Sequence, residues 1–111
     1  MQWRKSHAIE RASETLMRDL TPFDLARAAR VPLPTAQGWL DGAEHPGGGA
    51  LERLRSLAAL VDELQALGLA GAEDRAEWLR RPNRAFAQQS PLDLISRGES
   101  HRVRDYVATL A

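Results

Sequence analysis

Apolar residues recur along this chain at helical spacing and almost never alternate with polar ones, so the pattern predicts an all-α fold. Between Ser6 and Leu20, the residues Ile9, Ala12, Leu16 and Leu20, with Met17 beside them, form one stripe; Arg4, Glu10, Arg11, Glu14 and Arg18 fall outside it. Thr21-Pro22-Phe23-Asp24 then supplies an N-cap hydroxyl, a proline where its missing N–H costs nothing, and an acid able to return a bond to the cap. A helix is expected from Pro22 to about Arg30. Pro32 and Pro34 interrupt it, and a short helix from about Pro34 to Leu40 should close at Gly42.

The stretch from Gly42 to Gly49 holds four glycines and a proline and reads as a loop. Beyond it Leu51, Leu54, Leu57, Ala58, Val61 and Leu64 recur every three to four residues, with Leu60 and Leu67 as a second apolar edge. This predicts the longest helix, ending near Gly68, with more apolar surface than one small neighbour needs. A break at Leu69-Ala70-Gly71-Ala72 precedes a short helix from Glu73 to Arg80. Pro82 stops that helix and Asn83 can cap the next turn. Ser90-Pro91-Leu92-Asp93 repeats the cap of Thr21, Gly98 ends the helix it starts, and Ser100 is expected to cap a last one carrying Val103, Tyr106, Val107 and Leu110.

Composition narrows the chemistry more than it suggests any. With 111 residues a deep private active site is a poor expectation. Lys+Arg and Asp+Glu number 15 each, so no global basic field holds nucleic acid. The absence of cysteine removes disulfides, a thiolate nucleophile and cysteine-type zinc sites, in keeping with a reducing cytoplasmic setting. His7, His45 and His101 lie in no metal-ligand spacing, and no carboxylate pair, nucleophile with a base, or phosphate loop stands out. No cofactor and no catalysis are expected. Nor does any apolar run suit a membrane span or a signal peptide.

Ala26 and Ala36, small residues where two helices would cross, and Val31, Trp39 and Leu40, anchors around a tight turn, resemble the helix-turn-helix of Xre/Cro type. The resemblance extends over about Ala8 to Leu64, with Trp39-Leu40-Asp41-Gly42 its most recognisable piece. It implies a recognition helix whose outer face carries Leu33, Pro34, Thr35, Gln37 and Gly38. Gln37 could read adenine, while Arg27 and Arg30, the latter where such proteins often have glycine, could reach phosphates. Residues 1–42 hold six basic against five acidic side chains, a thin balance for gripping DNA.

The second half holds Trp78-Leu79-Arg80-Arg81-Pro82-Asn83, then Phe86, then Ser90-Pro91-Leu92-Asp93-Leu94-Ile95, Gly98, Val103 and Tyr106. In this order and spacing, over about Glu73 to Leu110, the chain resembles the toxin-binding domain of the MbcA, ParS and Xre antitoxins. The resemblance implies a domain boundary near residue 68, with an Xre-like unit in 1–68 and a three-helix toxin-binding unit in 69–111. It further implies a type II antitoxin that holds a RES-type, NAD-consuming toxin inactive in a hetero-oligomer. On exposed positions of the matched motif, Arg80, Arg81, Asn83, Arg84, Arg97, Arg102, Tyr106 and Leu110 are candidate toxin contacts, arginine being suited to interfaces through its planar fork. Two departures bear on how inhibition works: residues 107–111 contain no glycine, and Gln88-Gln89 replaces the glycine usual before the Ser-Pro pair. The second apolar edge of the leucine-rich helix and the two-fold symmetry common to helix-turn-helix proteins lead us to expect a homodimer. A standalone Xre-type regulator and a structural adaptor built on residues 51–68 are the alternative classes.

Overall fold

A computed structural model of the chain describes residues 19–69 and 71–110. The helix expected from Ser6 lies outside them except for its last two positions, Asp19 and Leu20, and His7 lies outside them as well. Among the described residues there are six α-helices: α1 Pro22–Ala29, α2 Leu33–Asp41, α3 Gly48–Ala66, α4 Ala72–Arg80, α5 Pro91–Ser96 and α6 Ser100–Thr109, with a 3-10 turn at Arg84–Phe86. The fold is all-α, and no strand forms among these residues.

Each boundary has a local cause. Thr21 accepts a hydrogen bond from the Asp24 amide, and the Asp24 carboxylate accepts one from the Thr21 amide, so both orphan donors at the start of α1 are met. Ser90 and Asp93 repeat the arrangement at α5. Gly42 closes α2 at φ 83°, a left-handed position that suits glycine. Arg30 takes the same region at φ 59° to close α1, a conformation that costs a residue with a Cβ about 1 kcal/mol. The last helix starts differently from the expectation: Glu99, not Ser100, is the N-cap, and no side chain caps it. The turn at Gly98 closes early enough that Ser100 is already helical.

One core runs through both halves. The α3 stripe of Leu54, Leu57, Ala58, Leu60, Val61 and Leu64 is buried and packs on α1, α4, α5 and α6. Leu60 is therefore covered by the chain itself, whereas Leu51 and Leu67 are half-buried. Ala26 and Ala36 are buried where α1 meets α2, and Trp39 closes that side. The six-residue α5 is too short to persist alone. Instead it sits at the centre, with Leu92, Leu94 and Ile95 fully buried and α1, α3, α4 and α6 around it. Arg53 adds a polar tie, donating through Nε and Nη2 to the Ala29 carbonyl at 3.2 and 3.0 Å, where the end of α1 leaves acceptors unmet.

Candidate functional site

Residues Asn83 to Gln89 form a closed knuckle between α4 and α5. The Asn83 amide donates to the Gln89 carbonyl at 3.1 Å, and the amides of Phe86 and Gln88 both donate to the Asn83 carbonyl at 3.0 Å. The Asn83 side chain accepts from the Ala85 amide at 2.9 Å, so asparagine acts as the cap the sequence suggested. Phe86 points inward, is 2% exposed, and meets Tyr106 edge to face at 5.3 Å between ring centroids. The outward tip carries Ala87 and Gln88 at φ 54° and 67°, two successive non-glycine residues in the left-handed region. Together these cost about 1–3 kcal/mol, which the surrounding bonds and the buried Phe86 offset.

The arginines around this knuckle divide into paired and unpaired. Arg80 does not point freely outward: Nε and Nη2 grip both oxygens of the buried Asp24 at 2.9 and 2.6 Å. Arg81 pairs with Glu77 one turn back, Arg102 with Glu99 at 3.2 Å, and Arg104 with Glu63 at 2.7 Å. Arg97 donates to the side-chain oxygen of Gln89 at 2.9 Å. Arg84 is exposed and has no carboxylate partner among the described residues. Tyr106 is half-buried against Phe86, and Leu110 is 52% exposed. Trp78 is half-buried and lines a shallow hollow with Leu69, Pro82 and Asn83. Between α3 and α6, a groove of about 480 Å³ is floored by Ala66, Leu67 and Val107 and edged by His101 and Asp105.

Arg27 is likewise engaged. Its Nε and Nη2 reach Asp93 Oδ1 at 3.2 and 2.7 Å, and Nη2 also donates to Ser90 Oγ at 3.0 Å. The two capping boxes are thus crossed: the box of α1 receives Arg80 from α4, and the box of α5 receives Arg27 from α1. Sequence reasoning found both boxes but not their arginines, which lie 56 and 66 residues away. No local spacing signals such a pairing. The remaining positions of the helix-turn-helix reading stay accessible in part: Arg30 and Gln37 are exposed, Thr35 and Gly38 half-buried. The Glu44 carboxylate, unforeseen from the sequence, lies over Gly38, where its Oε2 occupies the space a Cβ would need. It places negative charge beside the helix expected to face phosphates.

Burial pushes the Asp24 carboxyl up, but the bonds from Arg80 and Thr21 together outweigh it, leaving the pKa below its ordinary value. Asp93 follows the same balance with Arg27 and Ser90. Both carboxyls therefore hold protons more weakly folded than unfolded. Their contribution is complete above the unfolded pKa, near 3.9, and disappears as pH falls through the lower folded values. The Asp24 clamp is worth about 1–2 kcal/mol after allowing for the exposed Arg80, and the more exposed Asp93 clamp no more than about 1. Urea midpoints should separate wild type from Asp24→Asn at pH 7 and converge toward pH 2; a gap unchanged by acidification would contradict the assignment.

Comparison with known proteins adds family to geometry. Residues 56–111 match the family described as the antitoxin Xre/MbcA/ParS C-terminal toxin-binding domain, a span that includes the end of α3, the knuckle and all of α4 to α6. Among solved structures, a chain of the M. tuberculosis MbcT-MbcA toxin-antitoxin complex superposes with a TM-score of 0.78 at 25% identity, covering 96% of this chain and 95% of that one. No curated protein sequence matches.

Proposed function

Because the chain belongs to the Xre/MbcA/ParS family of antitoxins, and more than half of it is matched by that family's toxin-binding domain, we propose that it binds and silences a RES-family toxin that consumes NAD⁺. The observation that carries the reading is the coincidence of this match with a structural likeness covering nearly the whole chain. The protein acts by binding and not by catalysis, in the cytoplasm where such a toxin would find NAD⁺. Residues 69–111 carry the toxin-facing unit, and residues 1–68 the helix-turn-helix region with the leucine-rich helix. The working complex is a hetero-oligomer in which this chain pairs with a second copy.

Repression of its own operon is a secondary part of the same reading. It is favoured by Arg30 and Gln37, which remain exposed at the turn and on α2. With Arg27 committed to Asp93 and Glu44 beside Gly38, operator contact is weak and strengthened by dimerisation. The primary reading is tested in cells. Inducing the open reading frame adjacent to this chain's gene should stop growth, and co-inducing this chain should restore it; arrest that persists with the chain present and folded would refute neutralisation.

A further inference from the structure

We propose that the knuckle Asn83–Gln89 is a preformed docking element on which Arg84, supported by Arg97, receives a carboxylate from an acidic surface of the toxin. Three observations converge there. First, the element is rigid: it is closed at Asn83 and Gln89, capped by the Asn83 side chain, and pinned to the core by Phe86. Its tip holds Ala87 and Gln88 left-handed, a backbone arrangement that the fold maintains although neither residue favours it. A surface fixed before the encounter loses little freedom on binding.

Second, the local charge is uncompensated. Residues 83–92 contain no acid. The carboxylates nearest in the chain are engaged elsewhere, Glu77 with Arg81, Asp93 with Arg27 and Glu99 with Arg102. Among the described arginines of residues 69–111, Arg84 and Arg97 alone lack a carboxylate partner. Third, the two belong to one feature. Arg97 bonds to the Gln89 side chain, Gln89 pairs with Asn83, and Asn83 caps the turn that begins with Arg84. The small exposed residues Ala85 and Ala87 let an opposing surface come close. A guanidinium offers a carboxylate two parallel N–H bonds, and here no internal acid must be displaced first. Within the eight-residue set drawn from the sequence, this separates Arg84 and Arg97 from Arg80, Arg81 and Arg102, whose charges are already met.

The inference rests on the toxin-binding reading and sharpens where that binding is anchored. The test uses the full chain and the purified product of the adjacent open reading frame, with affinity read by calorimetry and folding by circular dichroism. Arg84→Ala should weaken binding by about 10- to 100-fold, Arg84→Glu more, and both should leave the urea midpoint in place. Arg81→Ala, which removes a paired surface charge, should change affinity by less than about threefold. Gln88→Gly, which relieves the left-handed backbone, should raise stability and lower affinity through loss of rigidity. If the wild type binds and Arg84→Glu binds within threefold of it, the knuckle proposal falls and the antitoxin reading stands. No binding by folded wild type would overturn both. Loss of duplex DNA binding in Arg84→Glu with toxin binding intact would reassign the patch to phosphates and overturn the proposal.

Discussion

Asp19→Ala should remove about 3–5 kcal/mol of folding stability, the largest single loss expected from a polar side chain among the described residues. The side chains of Asp19 and Arg75 are 0% and 5% exposed, and the guanidinium grips both carboxylate oxygens while donating to the Leu69 carbonyl at 2.8 Å. The bond to Asp19 raises the pKa of Arg75, so the arginine stays charged when buried. Deleting the acid leaves that charge out of water with its main counter-charge gone. The pair is not thereby a large net source of stability, because bringing two charges out of water offsets much of their attraction. Hence the double variant Asp19→Leu with Arg75→Met should recover most of the loss. Urea unfolding of the three chains checks this; a single variant that lost less than about 1 kcal/mol would show the pair to be solvated.

Phe86→Ala should cost a similar amount, about 3–5 kcal/mol, by a different route. Its ring is 2% exposed and packs edge to face on Tyr106, so truncation removes a large buried side chain and leaves a cavity in the core. Phe86→Leu, which keeps most of the volume, should lose no more than about 1.5 kcal/mol. Because Phe86 also pins the knuckle, the alanine variant should lose toxin affinity beyond what its unfolded fraction explains. Equal urea midpoints for wild type and alanine variant would mean that Phe86 does not hold the knuckle to the core.

The elements of this fold that could be read from sequence are those with local causes. The capping boxes at Thr21 and Ser90 involve residues three apart, and the left-handed ends at Gly42 and Gly98 are marked by glycine, so all four were visible. The i, i+3, i+4 stripe of α3 gave its buried face for the same reason. Ser100 misled because serine favours caps generally, while the position of the cap was set by where the Gly98 turn closed. Burial of Leu60 by other helices of the chain, and not by a partner, depends on the path of α5 and α6, which no periodicity within α3 records.

The candidate site was legible as a motif but not as an electrostatic surface. Seven arginines between residues 69 and 111 look alike in sequence. Only the packed chain distinguishes Arg80, bound to an aspartate of α1, from Arg84, which faces outward with no carboxylate partner described. The same applies to Arg27: a natural phosphate contact on a bare helix-turn-helix becomes a tie to the start of α5 once both halves share a core. The crossed clamps also make residues 22–29 part of the support for the toxin-binding unit, although the family match begins only at residue 56.

Neutralisation can be measured by titrating the purified chain into the purified product of the adjacent open reading frame while NAD⁺ is followed over time. NAD⁺ should fall in the absence of the chain, and its loss should stop once the chain reaches a stoichiometric amount. Continued consumption of NAD⁺ with the folded chain in excess would contradict neutralisation.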